Sequence, residues 1–238
     1  MGPPPERLFV GRERELARVR RELTEGHNLV LTGRFGIGRT AFLRHLAREE
    51  DAGWHFVFID GSQTPARMCE QLFLKLFPKQ QRALRRAANP GSFMRRTVEG
   101  RGFIDRRPHV LVLDDIAKLT HPRFEFIRWL RGLDRFRIVG VTERFLPQGD
   151  LWRLRSILVP APLVTLERLS HSACRQFFET WSVRHGLGWD KGIVAGLVRA
   201  SNGYPPNMWE VATAPSARSL LGAPEDEGTE GPSQTLRQ

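Results

Sequence analysis

The sequence predicts a doubly wound α/β fold: a five-stranded parallel sheet with helices on both faces, followed by a small C-terminal helical lid. Three observations carry this. Short apolar runs recur along the first two thirds of the chain, separated by stretches with helical spacing. One of them, Leu29-Val30-Leu31, breaks into a glycine-rich turn and continues as a helix with Phe42, Leu43 and Leu46 on one side. Another, His109-Val110-Leu111-Val112-Leu113-Asp114-Asp115, is apolar along its length and ends in two carboxylates, as a central strand buried on both faces does.

Taken in order, residues 1–7 read as a flexible lead, 8–166 as the α/β domain, 167–213 as the lid and 214–238 as a disordered tail. Leu16, Val19 and Leu23 lie at helical spacing before the first strand, and Gly26 ends that helix. His55 to Asp60 is a second strand. Pro65 opens a helix with Met68, Leu72, Phe73 and Leu76 on its inner face, and Pro78 stops it. Residues 79–88 are short, basic and helical; Asn89-Pro90-Gly91 is a turn. After the Asp114-Asp115 strand, Pro122 opens a helix and Phe136 to Val141 is a fourth strand. Asp150 to Leu154 is a short helix, and Ile157-Leu158-Val159 is the expected fifth strand. Three lid helices follow. Ser170 caps the first, which Gly186 ends; Asp190 caps the second, which Asn202-Gly203 ends; Pro205-Pro206 opens the third.

Gly33-Arg34-Phe35-Gly36-Ile37-Gly38-Arg39-Thr40 has the spacing of a P-loop, G-x-x-x-x-G-K-[ST], with arginine in place of the lysine. The sheet is therefore expected to be that of a P-loop NTPase, with ATP and Mg²⁺ as cofactors. Glycines let the backbone N–H groups turn inward onto phosphate oxygens, and the following helix adds the positive end of its dipole. Arg39 is expected at the terminal phosphates and Thr40 at Mg²⁺. Asp114, at the C-terminal end of its strand, is placed to hold the same ion, and Asp115 to orient an attacking water.

The segment from Phe9 to Leu23, FVGRERELARVRREL, resembles the N-terminal box of AAA+ and STAND P-loop ATPases. That resemblance implies that Val10, Gly11 and Arg12 lie by the base. The order of parts is similar to the AAA+ superfamily over roughly residues 8 to 213. It implies a sensor-1 role for Thr142. It also implies that Ser201-Asn202-Gly203-Tyr204-Pro205 is the stretch opening the last lid helix in STAND regulators and some transposition helpers, with Pro205 at the nucleotide. By the same resemblance Arg153 and Arg155 are candidate fingers for a neighbouring subunit's nucleotide. Three departures stand out: Arg39 itself, Asp115 where many AAA+ enzymes carry glutamate, and no evident sensor-2 arginine around residues 205–207. They put fast hydrolysis in doubt more than binding. No effector domain is recognised after the lid, so a core of this kind is expected to act through self-assembly or a protein partner.

The 238 residues carry a net charge of +11. Between Arg67 and Arg107 eleven Lys and Arg face three acids, while the tail after Leu221 is acidic. A basic segment of that size suits nucleic acid. It equally suits a solvated arginine-rich face, since only four basic residues in the chain are lysines. No apolar run reaches the roughly 20 residues of a membrane span, the first residues lack the apolar core of a signal peptide, and the two cysteines lie far apart in apolar stretches. The expected setting is cytoplasmic, without a membrane. The leading expectation is an ATP-binding protein whose nucleotide state controls assembly, with slow or impaired hydrolysis. The alternatives are a degenerate P-loop scaffold and a DNA-binding helper without ATPase activity.

Overall fold

A computed structural model describes residues 8–214; the expected flexible lead and the tail beyond Ala214 lie outside the described residues. In chain order the strands are β1 (Leu29–Gly33), β2 (His55–Asp60), β3 (His109–Ile116), β4 (Arg137–Glu143) and β5 (Leu163–Leu166). The helices are α1 (Glu13–Thr24), α2 (Arg39–Glu49), α3 (Pro65–Leu76), α4 (Gln81–Arg86), α5 (Pro90–Gly100), α6 (His121–Gly132), α7 (Gln148–Ile157), α8 (His171–His185), α9 (Lys191–Ser201) and α10 (Pro205–Thr213). The sheet is parallel throughout, in the order β2-β3-β4-β1-β5.

Strand β3 explains its own composition. Val110 and Val112 join the core under α1 and α2, whereas Leu111 and Leu113 join the core under α3, α5 and α6. Alternate side chains go to opposite faces, and because both faces are covered the run is apolar at every position. Its C-terminal end, and that of β1 and β4, therefore opens on one rim of the sheet.

The fifth strand is not where the apolar triplet at 157–159 predicts it. Ile157 closes α7, and Leu154 and Leu158 are buried against β4, where Gly140 leaves them room. The strand lies six residues on, at Leu163–Leu166, where Val164 and Leu166 are buried and Leu163 and Thr165 only partly so. It pairs on one side only, with β1.

The lid caps follow the sequence. Ser170 and Asp190 accept from Ala173 N and Ile193 N, and Gly186 and Asn202 end their helices in left-handed conformation. The lid has a core of its own, with Phe177, Phe178, Leu197 and Met208, and Val10 from the N-terminal segment packs into it. Phe9 packs instead with the sheet core. Residues 8–10 thus tie lid to sheet. Among the described residues no helix is long and apolar enough to cross a membrane.

Candidate nucleotide site

Strand β1 ends at Gly33 and α2 begins at Arg39, so the glycine-rich turn joins a central strand to a helix N-terminus. Gly36 and Gly38 have φ of 72° and 95°, a region open to glycine and costly for other residues. At Gly36 a Cβ would also meet Tyr204 Oη at 2.7 Å and Pro206 Cγ at 2.9 Å. Tyr204 Oη donates to Phe35 O at 2.5 Å. The loop is thereby fastened to the start of α10. Ile37 is buried and anchors the turn, whereas Arg34 and Phe35 are exposed.

Thr40 Oγ1 donates to Asp114 Oδ2 at 2.9 Å and Oδ1 at 3.1 Å. The two expected metal ligands therefore meet, as strand and helix ends on one rim dictate. Asp115 stands beside them in an irregular stretch of β3: the pairing with β4 slips between Leu113 and Ile116, and Asp115 is exposed with φ of 62°. Asp60, in register with Asp114 across β2 and β3, is already engaged. Burial acts to raise its pKa, but hydrogen bonds from Ser62 Oγ, Gln63 Nε2 and Ser62 N outweigh it and hold the carboxyl below its ordinary range.

Arg39 Nη2 pairs with Glu143 Oε1 at 3.2 Å, while Arg39 Nη1 is buried without a partner. Thr142 is fully buried and its Oγ1 also lacks one. Arg12, left-handed at φ 75°, bonds Glu15 through Nη1 and leaves Nη2 buried and unpaired. Among the described residues only one further buried side-chain atom is orphaned in this way, on His109. Each such group costs of order 1–3 kcal/mol, so a ligand that offered acceptors to Arg39 at the turn, or to Arg12 at the cleft, would remove that cost. A magnesium-bound polyphosphate is such a ligand.

A cleft of about 760 Å³ opens between the N-terminal segment, the turn and the lid. Phe9, Val10, Leu169, Phe177, Met208 and Trp209 give it an apolar wall, and Arg12, Gly36, Ile37, Gly38 and Pro205 line it too. Gly11 does not line this cleft; it lines a neighbouring polar pocket of about 490 Å³, and a Cβ there would meet Ala173 Cβ at 2.9 Å. Its smallness lets the N-terminal segment lie against α8. Arg153 sits over the Phe124 ring and 3.8 Å from Asp150, and Arg155 Nε donates to Ala161 O; neither lines the cleft. Helix α10 contains no arginine, so its contribution to the cleft is Pro205, Pro206, Met208 and Trp209. Sequence reasoning missed Glu143, the Tyr204 hydroxyl, and the wall formed by Phe9, Met208 and Trp209. The aromatic and methionine positions carry a signal, an apolar helix face, but it reads as core packing.

A family model described as AAA domain matches residues 21–145. No curated protein matches the chain in sequence. Among solved structures, the chain is similar to the Aeropyrum pernix ORC1 protein in complex with DNA: TM-score 0.63, 17% identity, 86% of this chain and 59% of that one. It is similar to a Walker-type ATPase of Pyrococcus abyssi: TM-score 0.59, 13% identity, 90% of this chain and 71% of that one. A signal transduction ATPase with numerous domains, with a tetratricopeptide repeat sensor, from Pyrococcus horikoshii matches with TM-score 0.52 and 20% identity over 85% of this chain and 29% of that one. The chain thus spans well under the full length of the first and third of these proteins.

Proposed function

Because this chain belongs to the AAA domain family of P-loop ATPases, we propose that it binds MgATP, turns it over slowly, and uses the bound state to control assembly with partners. The observation that carries this is the joining of Thr40 to Asp114 beside the unpaired donors of Arg39 and Thr142. Gly33 to Thr40 would cradle the phosphates, Thr40 and Asp114 would hold Mg²⁺, and the cleft by Val10, Arg12 and Pro205 would take the base. Bound Mg²⁺ would neutralise phosphate charge. Asp115 and Thr142 would orient the attacking water.

Slow turnover is supported by three features of the chain. Arginine at 39 presents a fixed planar fork rather than a compact, mobile charge. It neutralises ground-state phosphate as well as transition-state charge, which gives affinity without rate. Asp115 is a methylene shorter than glutamate, and α10 supplies no arginine to the cleft. We expect turnover at or below about 1 s⁻¹, the low end for enzymes. The test is Arg39→Lys beside the parent protein, with affinity and turnover both measured. A clear rise in turnover with little change in affinity supports the reading; brisk hydrolysis by the parent, unchanged in Arg39→Lys, contradicts it. In an assembly of copies, Arg153 or Arg155 of α7 would serve a neighbour's nucleotide, beside exposed Trp152.

A second reading concerns nucleic acid. Of the eleven cations from Arg67 to Arg107, only Arg67 and Arg107 form ion pairs among the described residues. Lys79, Arg82, Arg85 and Arg86 are all exposed around α4. That unneutralised face supports binding to a polyanion such as DNA or RNA. Cys69 and Cys174 are buried free thiols, and burial pushes Cys69 up to about 11, which suits a cytoplasmic setting.

A further inference from the structure

The geometry points to Glu143 as a latch on the P-loop: it holds Arg39, and the terminal phosphates must take Arg39 from it. This rests on the nucleotide reading above and adds how that site is regulated. Glu143 is the last residue of β4 and stands in register with Gly33, where β1 gives way to the glycine-rich turn. From there its carboxylate reaches over to Arg39 at 3.2 Å. The pair is half-buried, with the arginine side chain 11% exposed and the glutamate 32%.

Only part of the guanidinium is used. Nη2 is on Glu143, whereas Nη1 is buried with no acceptor. A lysine concentrates its donors on one nitrogen, but the arginine fork can keep one arm on a carboxylate while the other waits. A carboxylate and a polyphosphate on the same guanidinium repel each other, and the repulsion is strong where water is scarce. Nucleotide therefore either displaces Glu143 or binds against its charge. In both cases Glu143 weakens binding, although it carries the very partner that makes Arg39 stable when the site is free.

Past Glu143, Arg144 N donates to Gly33 O, and Arg144 Nη1 lies 3.4 Å from Glu167, the residue after β5. Phe145 follows, 78% exposed, and Phe35 on the P-loop is 74% exposed. Glu143 is thus two residues from exposed Phe145, on the rim that carries Phe35.

The experiment measures MgATP affinity in the parent, Glu143→Gln, Arg39→Gln and the double variant, with melting temperature recorded for each. Glutamine keeps the shape and removes the charge. Hydrogen bonds to charged groups contribute about 1.5–3 kcal/mol, so Glu143→Gln is expected to bind MgATP about tenfold tighter or more while melting lower than the parent. In the Arg39→Gln background the same change should gain clearly less, because only the direct repulsion between Glu143 and phosphate remains and no latch is left to open; an equal gain in both backgrounds overturns the latch. A carboxylate serving only to shape the loop would weaken binding when replaced. If the parent binds MgATP and Glu143→Gln binds equally or more weakly, the latch is overturned and the nucleotide reading stands. If the parent binds no MgATP at millimolar concentration, both are overturned.

Discussion

Thr40 donates to both oxygens of Asp114, so the two residues expected to share a cation are bonded to each other. Thr40→Val removes that hydroxyl with little change of shape. Its effect should be confined to magnesium: at least tenfold weaker MgATP binding, and no loss of whatever affinity remains for ATP in EDTA, as followed by titration in the two buffers. Equal losses in both would mean that Thr40 only shapes the loop. That these two residues meet was legible in the sequence because motif spacing fixes them to the ends of adjoining elements. Arg39 was legible as a departure, but its partner was not. Glu143 lies 104 positions away, and only the register of β1 on β4 brings it within reach. Gly11 lines the neighbouring pocket for a related reason: the pattern that marks the N-terminal segment does not say which of its residues lies against α8 and which lines the cleft.

At the scale of elements, the strand ends matter at both rims of the sheet. The rim away from the candidate nucleotide site carries His55 and His109 at the starts of β2 and β3, with Asp105 and Arg107 beside them. His109 is buried among Phe103 and Phe136, and burial, together with the neighbouring His55, lowers its pKa to about 4. The unfolded value is near 6.5, so below that pH the unfolded chain binds the proton more readily. The stability tied to a neutral His109 is complete above pH 6.5 and is lost as pH falls towards 4, on the order of 2 kcal/mol. Melting temperature followed from pH 7 to 4 should therefore fall, and His109→Phe should flatten the curve in that window. An equal slope in the variant would place the titration elsewhere. Element existence was readable from period and caps, as β3 and the lid helices illustrate. The fifth strand was misplaced because Ile157-Leu158-Val159 is equally apolar as a helix end packed on Gly140, and periodicity over three residues cannot separate the two.

For the whole molecule, the basic face and nucleotide binding should be separable. Reversing Lys79, Arg82, Arg85 and Arg86 to glutamate should leave MgATP affinity intact. If the face binds nucleic acid, the same change should weaken DNA binding and reduce its salt dependence, by about 0.9 in slope for each phosphate no longer neutralised. Unchanged DNA binding would mark the face as merely solvated. Sizing with and without ATP then reads assembly. All of this depends on MgATP occupying the turn between β1 and α2. The most direct measurement is thermal unfolding of the parent protein with millimolar MgATP against magnesium alone. A ligand at about 100 times its Kd stabilises by about 2.7 kcal/mol, which for a chain of this length raises the melting temperature by roughly 5–10 °C. A rise of that order, cut by about half or more in Thr40→Val, is the expected result; the same melting temperature with and without nucleotide contradicts it.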